Sequence, residues 1–211
     1  MTARAYPTLK LTYFDAPGRA EPVRLVLRMA GIPFEDHRID FAGFAALREQ
    51  GVLPLGSVPV LEVDGLVLTQ TAAMLRYAAR LGGTDLYPSD PLEAFLVDSA
   101  IDTVNDTLAH ALQPSMFERD LDKKLAMRKA FVEGPMAKAF TYLEGLIAKH
   151  GGPLLLGDRL SIADLLIGNQ LAQIASGRLD GLSRESLAAY PRLGALLDAF
   201  QCHPRLNAVR G

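Results

Sequence analysis

The sequence has no tryptophan, and its one cysteine is Cys202, in 211 residues. A single thiol cannot close a disulfide within the chain, so the cross-linked frameworks of small secreted domains are excluded. Neither sign of charge is in excess: 22 lysines and arginines stand against 24 aspartates and glutamates. Neither half of the chain is strongly basic, which argues against nucleic acid or an anionic membrane as the main partner. The four histidines, His37, His110, His150 and His203, are scattered without metal-ligand spacing. No apolar run is long enough to span a bilayer, and the first residues lack the apolar core of a secretory leader. These absences predict a soluble cytoplasmic protein with no metal site.

What is present is ordinary globular material, 49% hydrophobic, enough for one large domain or two small ones. Leu9 to Tyr13 alternates as a half-buried strand does. From Arg19 to Ala30 the apolar positions Val23, Val26, Leu27 and Ala30 fall on one helical face. Phe34 to Ile39 suits a second strand, so the order is that of a parallel βαβ unit. A short helix is expected around 44–48. Val58 to Val63, Asp64-Gly65 and Leu66 to Leu68 form a hairpin pattern, because Asp-Gly suits the type I′ turn. A helix then runs from Thr71 to Gly82-Gly83.

Thr84 to Asp90 has the proline and turn-former content of a linker. Beyond it no strand is evident. Pro91 suits the first turn of a helix running through Asp106, and Gly134-Pro135 suggests one helix ending and another beginning. Ser161 and Asp164 have capping-box spacing before an apolar run. Further helices are expected from Arg184 and Pro191. The predicted organisation is an α/β domain over 7–83, a linker over 84–90 and an all-α domain over 91–211.

Ordered segments now carry a family resemblance: YFDAPGRAE (13–21), EDHRIDF (35–41), LPLGSVPVLEVDG (53–65), LTQT (68–71), VDS (97–99) and LLLGDRLSIADLLIG (154–168). Together they resemble the cytosolic glutathione S-transferases, most nearly the sigma class, over nearly the whole chain. The resemblance implies a thioredoxin-like N-terminal domain that binds glutathione, a helical C-terminal domain that walls the electrophile pocket, and a homodimer. It also implies a catalytic Tyr13. The strand end would fix the phenol beside the glutathione sulfur, with Arg19 and the helix after Gly18 adding positive potential.

The chemistry is plausible in magnitude. Lowering a thiol pKa from ~8.5 to ~6.5 needs about 2.7 kcal/mol of preference for the anion. One hydrogen bond to a charged acceptor contributes roughly 1.5–3 kcal/mol. A phenol keeps its proton at neutral pH, so Tyr13 would donate to the thiolate rather than act as a base.

The remaining glutathione contacts follow from the same resemblance. Pro59 is expected cis, with Val58 offering its backbone N–H and C=O to the cysteinyl unit, and Gly56 and Ser57 lead into it. Gln70 and Thr71, at a helix start, would hold a carboxylate. Asp98 would reach across the dimer to the amino group. Phe44 stands where the sigma pattern has tryptophan and offers no N–H, while Arg48 could hold the glycine carboxylate. Ser57 removes a long polar arm that the family often has there. Phe14, Leu112, Met116 and Phe117 are expected to wall the pocket of a small hydrophobic electrophile. Glutathione-dependent isomerisation of the prostaglandin-synthase kind, and a non-catalytic crystallin-like role, are the alternatives.

Overall fold

The computed structural model describes residues 6–210. Its contacts divide the chain into two units, one running to Asp85 and taking back Val209 onward, the other Leu86–Ala208.

The first unit is a four-stranded sheet with helices. Strand β1 (Leu9–Phe14) leads through a 3₁₀ turn (Gly18–Ala20) into α1 (Glu21–Met29), then β2 (Glu35–Ile39), α2 (Phe41–Glu49), β3 (Val60–Val63), β4 (Leu66–Leu68) and α3 (Thr71–Gly82). Sheet order is β2-β1-β3-β4. β1 pairs parallel to β2, with Tyr13 opposite Arg38, and antiparallel to β3, with Thr12 opposite Val60. The βαβ unit read from the sequence is therefore present. So is the hairpin: Asp64 and Gly65 both have positive φ, 47° and 86°, as a type I′ turn requires. Leu11, Leu61, Val23, Val26, Leu27, Leu75 and Ala78 are fully buried and form the core that α1 and α3 close. Helix α2 buries none of its residues.

The second unit is helical. Asp90 caps α4 (Pro91–Asp102) through the N–H groups of Leu92 and Glu93, with Pro91 in the first turn. The helix continues through a π-helical stretch, Thr103–Ala109, into α5 (His110–Phe117). After α6 (Leu121–Phe131) the expected break at Gly134-Pro135 does not occur. The chain passes through π-helical Val132–Met136 into α7 (Ala137–Ile147) without leaving the helix. The wider turn re-pairs the ladder around the N–H that proline lacks, so Pro135 is tolerated mid-helix.

The buried helix of this unit is α8 (Ile162–Ala175). Asp164 starts it, accepting from the Ser161 N–H and hydroxyl at 2.8 and 2.7 Å and from the Leu155 N–H at 2.8 Å. A 3₁₀ turn at Arg184–Leu187, α9 (Pro191–Cys202) and the short α10 (Pro204–Asn207) complete it. Among the described residues no helix is long and apolar enough to cross a membrane, and no cluster of three metal-ligating side chains is present.

Candidate active site at the end of strand β1

β1 ends where the backbone turns sharply: the Ala16 N–H donates to the Phe14 carbonyl at 2.7 Å. Tyr13 is 8% exposed, and its hydroxyl oxygen accepts the Arg19 N–H at 3.2 Å. Accepting this bond occupies a lone pair and leaves the phenolic proton available for donation. The Arg19 guanidinium turns to the other side of the site, where Nη2 donates to the Val58 carbonyl at 3.2 Å. The Val58-Pro59 bond is cis. Extending the β1–β3 register by one residue sets Pro59 opposite Tyr13. Val58 and its cis proline thus sit at the strand end that carries the phenol.

Gly18 makes room for that phenol. Its φ is +43°, and a Cβ there would lie 2.5 Å from the Tyr13 oxygen and 2.6 Å from Cε1. Any side chain would strain the backbone and strike the ring.

Aromatic contacts extend the site. The Phe14 ring lies 5.5 Å from Tyr13 and 5.4 Å from Phe44, both edge-on. The Arg48 guanidinium lies over Phe44 at 5.7 Å, and its Nε would be 3.7 Å from a Cβ on Gly56. Tyr13, Phe14, Arg19, Phe44, Arg48, Gly56, Val58 and Pro59 are therefore joined in one chain of contacts. Half-buried Ser57 precedes Val58. Gln70 has φ +75° and ψ +106°, an unusual conformation for a non-glycine residue, and immediately precedes the first turn of α3 at Thr71.

The other sequence-selected residues belong to the helical unit. Asp98 accepts the Tyr87 hydroxyl at 2.9 Å. Leu112 is buried, while Met116 and Phe117 are exposed.

Sequence reasoning passed over the group that braces the Tyr13 turn. Arg24 is completely buried. Its Nη1 donates to the carbonyls of Ala16 and Pro17 at 2.8 and 3.3 Å, Nη2 to that of Phe14 at 3.5 Å, and Nε to Asp36 at 2.9 Å. Its guanidinium also lies 5.9 Å from the Tyr13 ring centroid. Asp36 in turn takes Arg38, which also pairs with Asp15 at 2.7 Å. Burial pushes the Asp36 carboxyl up, but the hydrogen bonds and charges of Arg24 and Arg38 outweigh it and hold the group below its ordinary value. The same hydrogen bonds to Asp15 and Asp36 raise Arg38.

A thioredoxin-like α/β unit followed by a helical unit defines the fold class. Residues 9–80 match the family model for the glutathione S-transferase N-terminal domain, and 105–209 the model for the C-terminal domain. The chain belongs to the glutathione S-transferase family. It is 38% identical to glutathione S-transferase 1 of Ascaris suum over 182 residues, 84% of this chain and 85% of that one. It is 41% identical to human hematopoietic prostaglandin D synthase over 199 residues, 94% and 92% of the two chains. In structure it is similar to a monomeric glutathione S-transferase of the hookworm Necator americanus, with TM-score 0.79, 28% identity and 95% of each chain covered.

Proposed function

We propose that the protein is a glutathione transferase in which the Tyr13 hydroxyl donates to the sulfur of bound glutathione and favours its thiolate. The observation that carries this reading is the Arg19 N–H to Tyr13 bond. It holds the phenol oxygen at a strand end and, because the oxygen accepts, leaves the phenolic proton for donation to the sulfur. The thiol proton passes to solvent. The sulfur then attacks an electrophilic carbon, an S–C bond forms, and the leaving group departs with its electron pair.

The Val58 backbone pairs with the cysteinyl unit of glutathione; its carbonyl keeps a second lone pair beyond the one that Arg19 uses. Arg48, backed by the Phe44 ring, takes the glycine carboxylate, with Gly56 and Ser57 alongside. Gln70, Thr71 and the first turn of α3 take the γ-glutamyl carboxylate. Asp98 serves the amino group across a homodimer. Phe14 walls the electrophile pocket from the first unit. The protein works in the cytoplasm, in detoxification. Support for the dimer is the family resemblance, and because the hookworm relative is monomeric, sedimentation of the purified chain tests it directly.

A second reading is glutathione-dependent isomerisation, favoured by the 41% identity to the human prostaglandin D synthase. It uses the same thiolate on a different substrate. A panel assay with glutathione separates the two: an aryl halide, an isothiocyanate, an organic hydroperoxide and a prostaglandin endoperoxide. Turnover of the first two with Tyr13-dependent kcat is expected. Turnover of the endoperoxide alone would favour the isomerase, and no turnover of any would reject both.

A further inference from the structure

Phe41 opens α2, and its side chain is 78% exposed. Its ring lies 5.1 Å from Phe14, which itself meets Tyr13 edge-on. Tyr13, Phe14 and Phe41 line one open cleft of about 810 Å³ together with Asp15, Arg38 and Asp40. An aromatic surface thus runs outward from Tyr13 and is supplied wholly by the first unit. Contiguous aromatic surface of this kind, beside a reactive group, offers a face on which a flat ring can pack.

The charges in this cleft discriminate further. Its lining carries two carboxylates and one guanidinium. The guanidinium is committed: Nη1 meets Asp15 at 2.7 Å, while Nη2 and Nε meet Asp36 at 3.0 and 3.1 Å. Asp40 accepts the Gly43 N–H at 2.7 Å as the cap of α2. No lining side chain among the described residues offers an uncommitted cation. An entering carboxylate would give up water and meet acceptors, whereas an uncharged ring gains contact with Phe14 and Phe41.

We propose that Phe41 is a specificity-determining residue of the electrophile site, and that this cleft selects uncharged planar aromatic electrophiles over those bearing a carboxylate. The reaction at the ring rests on the transferase reading above; binding of the ring does not. The preference runs against a prostaglandin endoperoxide, which carries a carboxylate.

The absence of tryptophan makes Phe41→Trp a single-site reporter in the full chain. Its fluorescence is titrated, without glutathione, with nitrobenzene and with 4-nitrobenzoate, two unreactive quenchers that differ by one carboxylate. Saturable quenching by nitrobenzene is expected, with 4-nitrobenzoate weaker by about fivefold or more. In parallel, Phe41→Ala should raise KM for 1-chloro-2,4-dinitrobenzene by about three- to tenfold, the worth of one aromatic contact. Its kcat and its KM for glutathione should be unchanged. Equal saturation by both quenchers, unsaturable quenching, or an unchanged KM would overturn the proposal. So would a change in sedimenting mass of Phe41→Ala, which would assign the ring to a contact between copies. Saturable, selective binding without turnover would instead reject the transferase reading and leave the ring site standing.

Discussion

A Cβ on Gly18 would lie 2.5 Å from the hydroxyl oxygen of Tyr13. The turn after β1 is thus closed down onto the phenol, and only a residue without a side chain fits between them. Gly18→Ala is expected to displace the Tyr13 oxygen and lower kcat/KM by about tenfold or more, because sub-ångström placement controls such steps. Gly31→Ala is the control. Its φ is also positive, +63°, but nothing lies within 4 Å of the added carbon. It should lose stability comparably through backbone strain while keeping its kinetics.

Arg24 supports the same turn from below. Its guanidinium is fully buried and bonds three carbonyls of the Tyr13 turn as well as Asp36. Arg24→Met keeps the volume but strands these acceptors. A loss of about 3 kcal/mol or more is expected, seen by calorimetry as a Tm lowered by roughly 6–12 °C for a chain of this size.

Asp36 ties this brace to pH. Its folded pKa lies below the unfolded one, so its contribution to stability is complete above the unfolded value near ~3.9 and is lost as pH falls through the folded value. Chemical denaturation from pH 7 to 3 should show an acid limb in the wild type. Asp36→Asn should be less stable at pH 7 and show a shallower limb.

In the proposed binding mode, Phe44 leaves the glycine end of glutathione without a ring N–H donor. Phe44→Trp restores one and should tighten glutathione binding by about three- to tenfold, the value of one net hydrogen bond. Calorimetric titration measures this; an unchanged Kd would count against the placement of Phe44 at the glycine end.

Much of this was readable from residue order. The alternation of β1, the apolar stripe of α1 and the Asp64-Gly65 turn each express one local rule, and each formed as that rule requires. Gly134-Pro135 misled because its local preference for a break is overridden by a π turn inside a long helix. Arg24 was missed because it is charged, although it shares a helical stripe with Ala20 and Leu27, both fully buried. A charge on such a stripe demands buried partners, and that signal was available. Phe41 carried no such signal: Phe14 arrives beside it from β1, a neighbourhood that the pairing of β1 with β2 determines.

The most direct test follows the ultraviolet absorbance of glutathione thiolate bound to the protein as pH is varied, in the wild type and in Tyr13→Phe. The bound thiol is expected to titrate about two pH units below the free value in the wild type and to return most of the way toward it in the variant. Identical titrations in the two proteins, with glutathione bound in both, would contradict the proposed role of Tyr13.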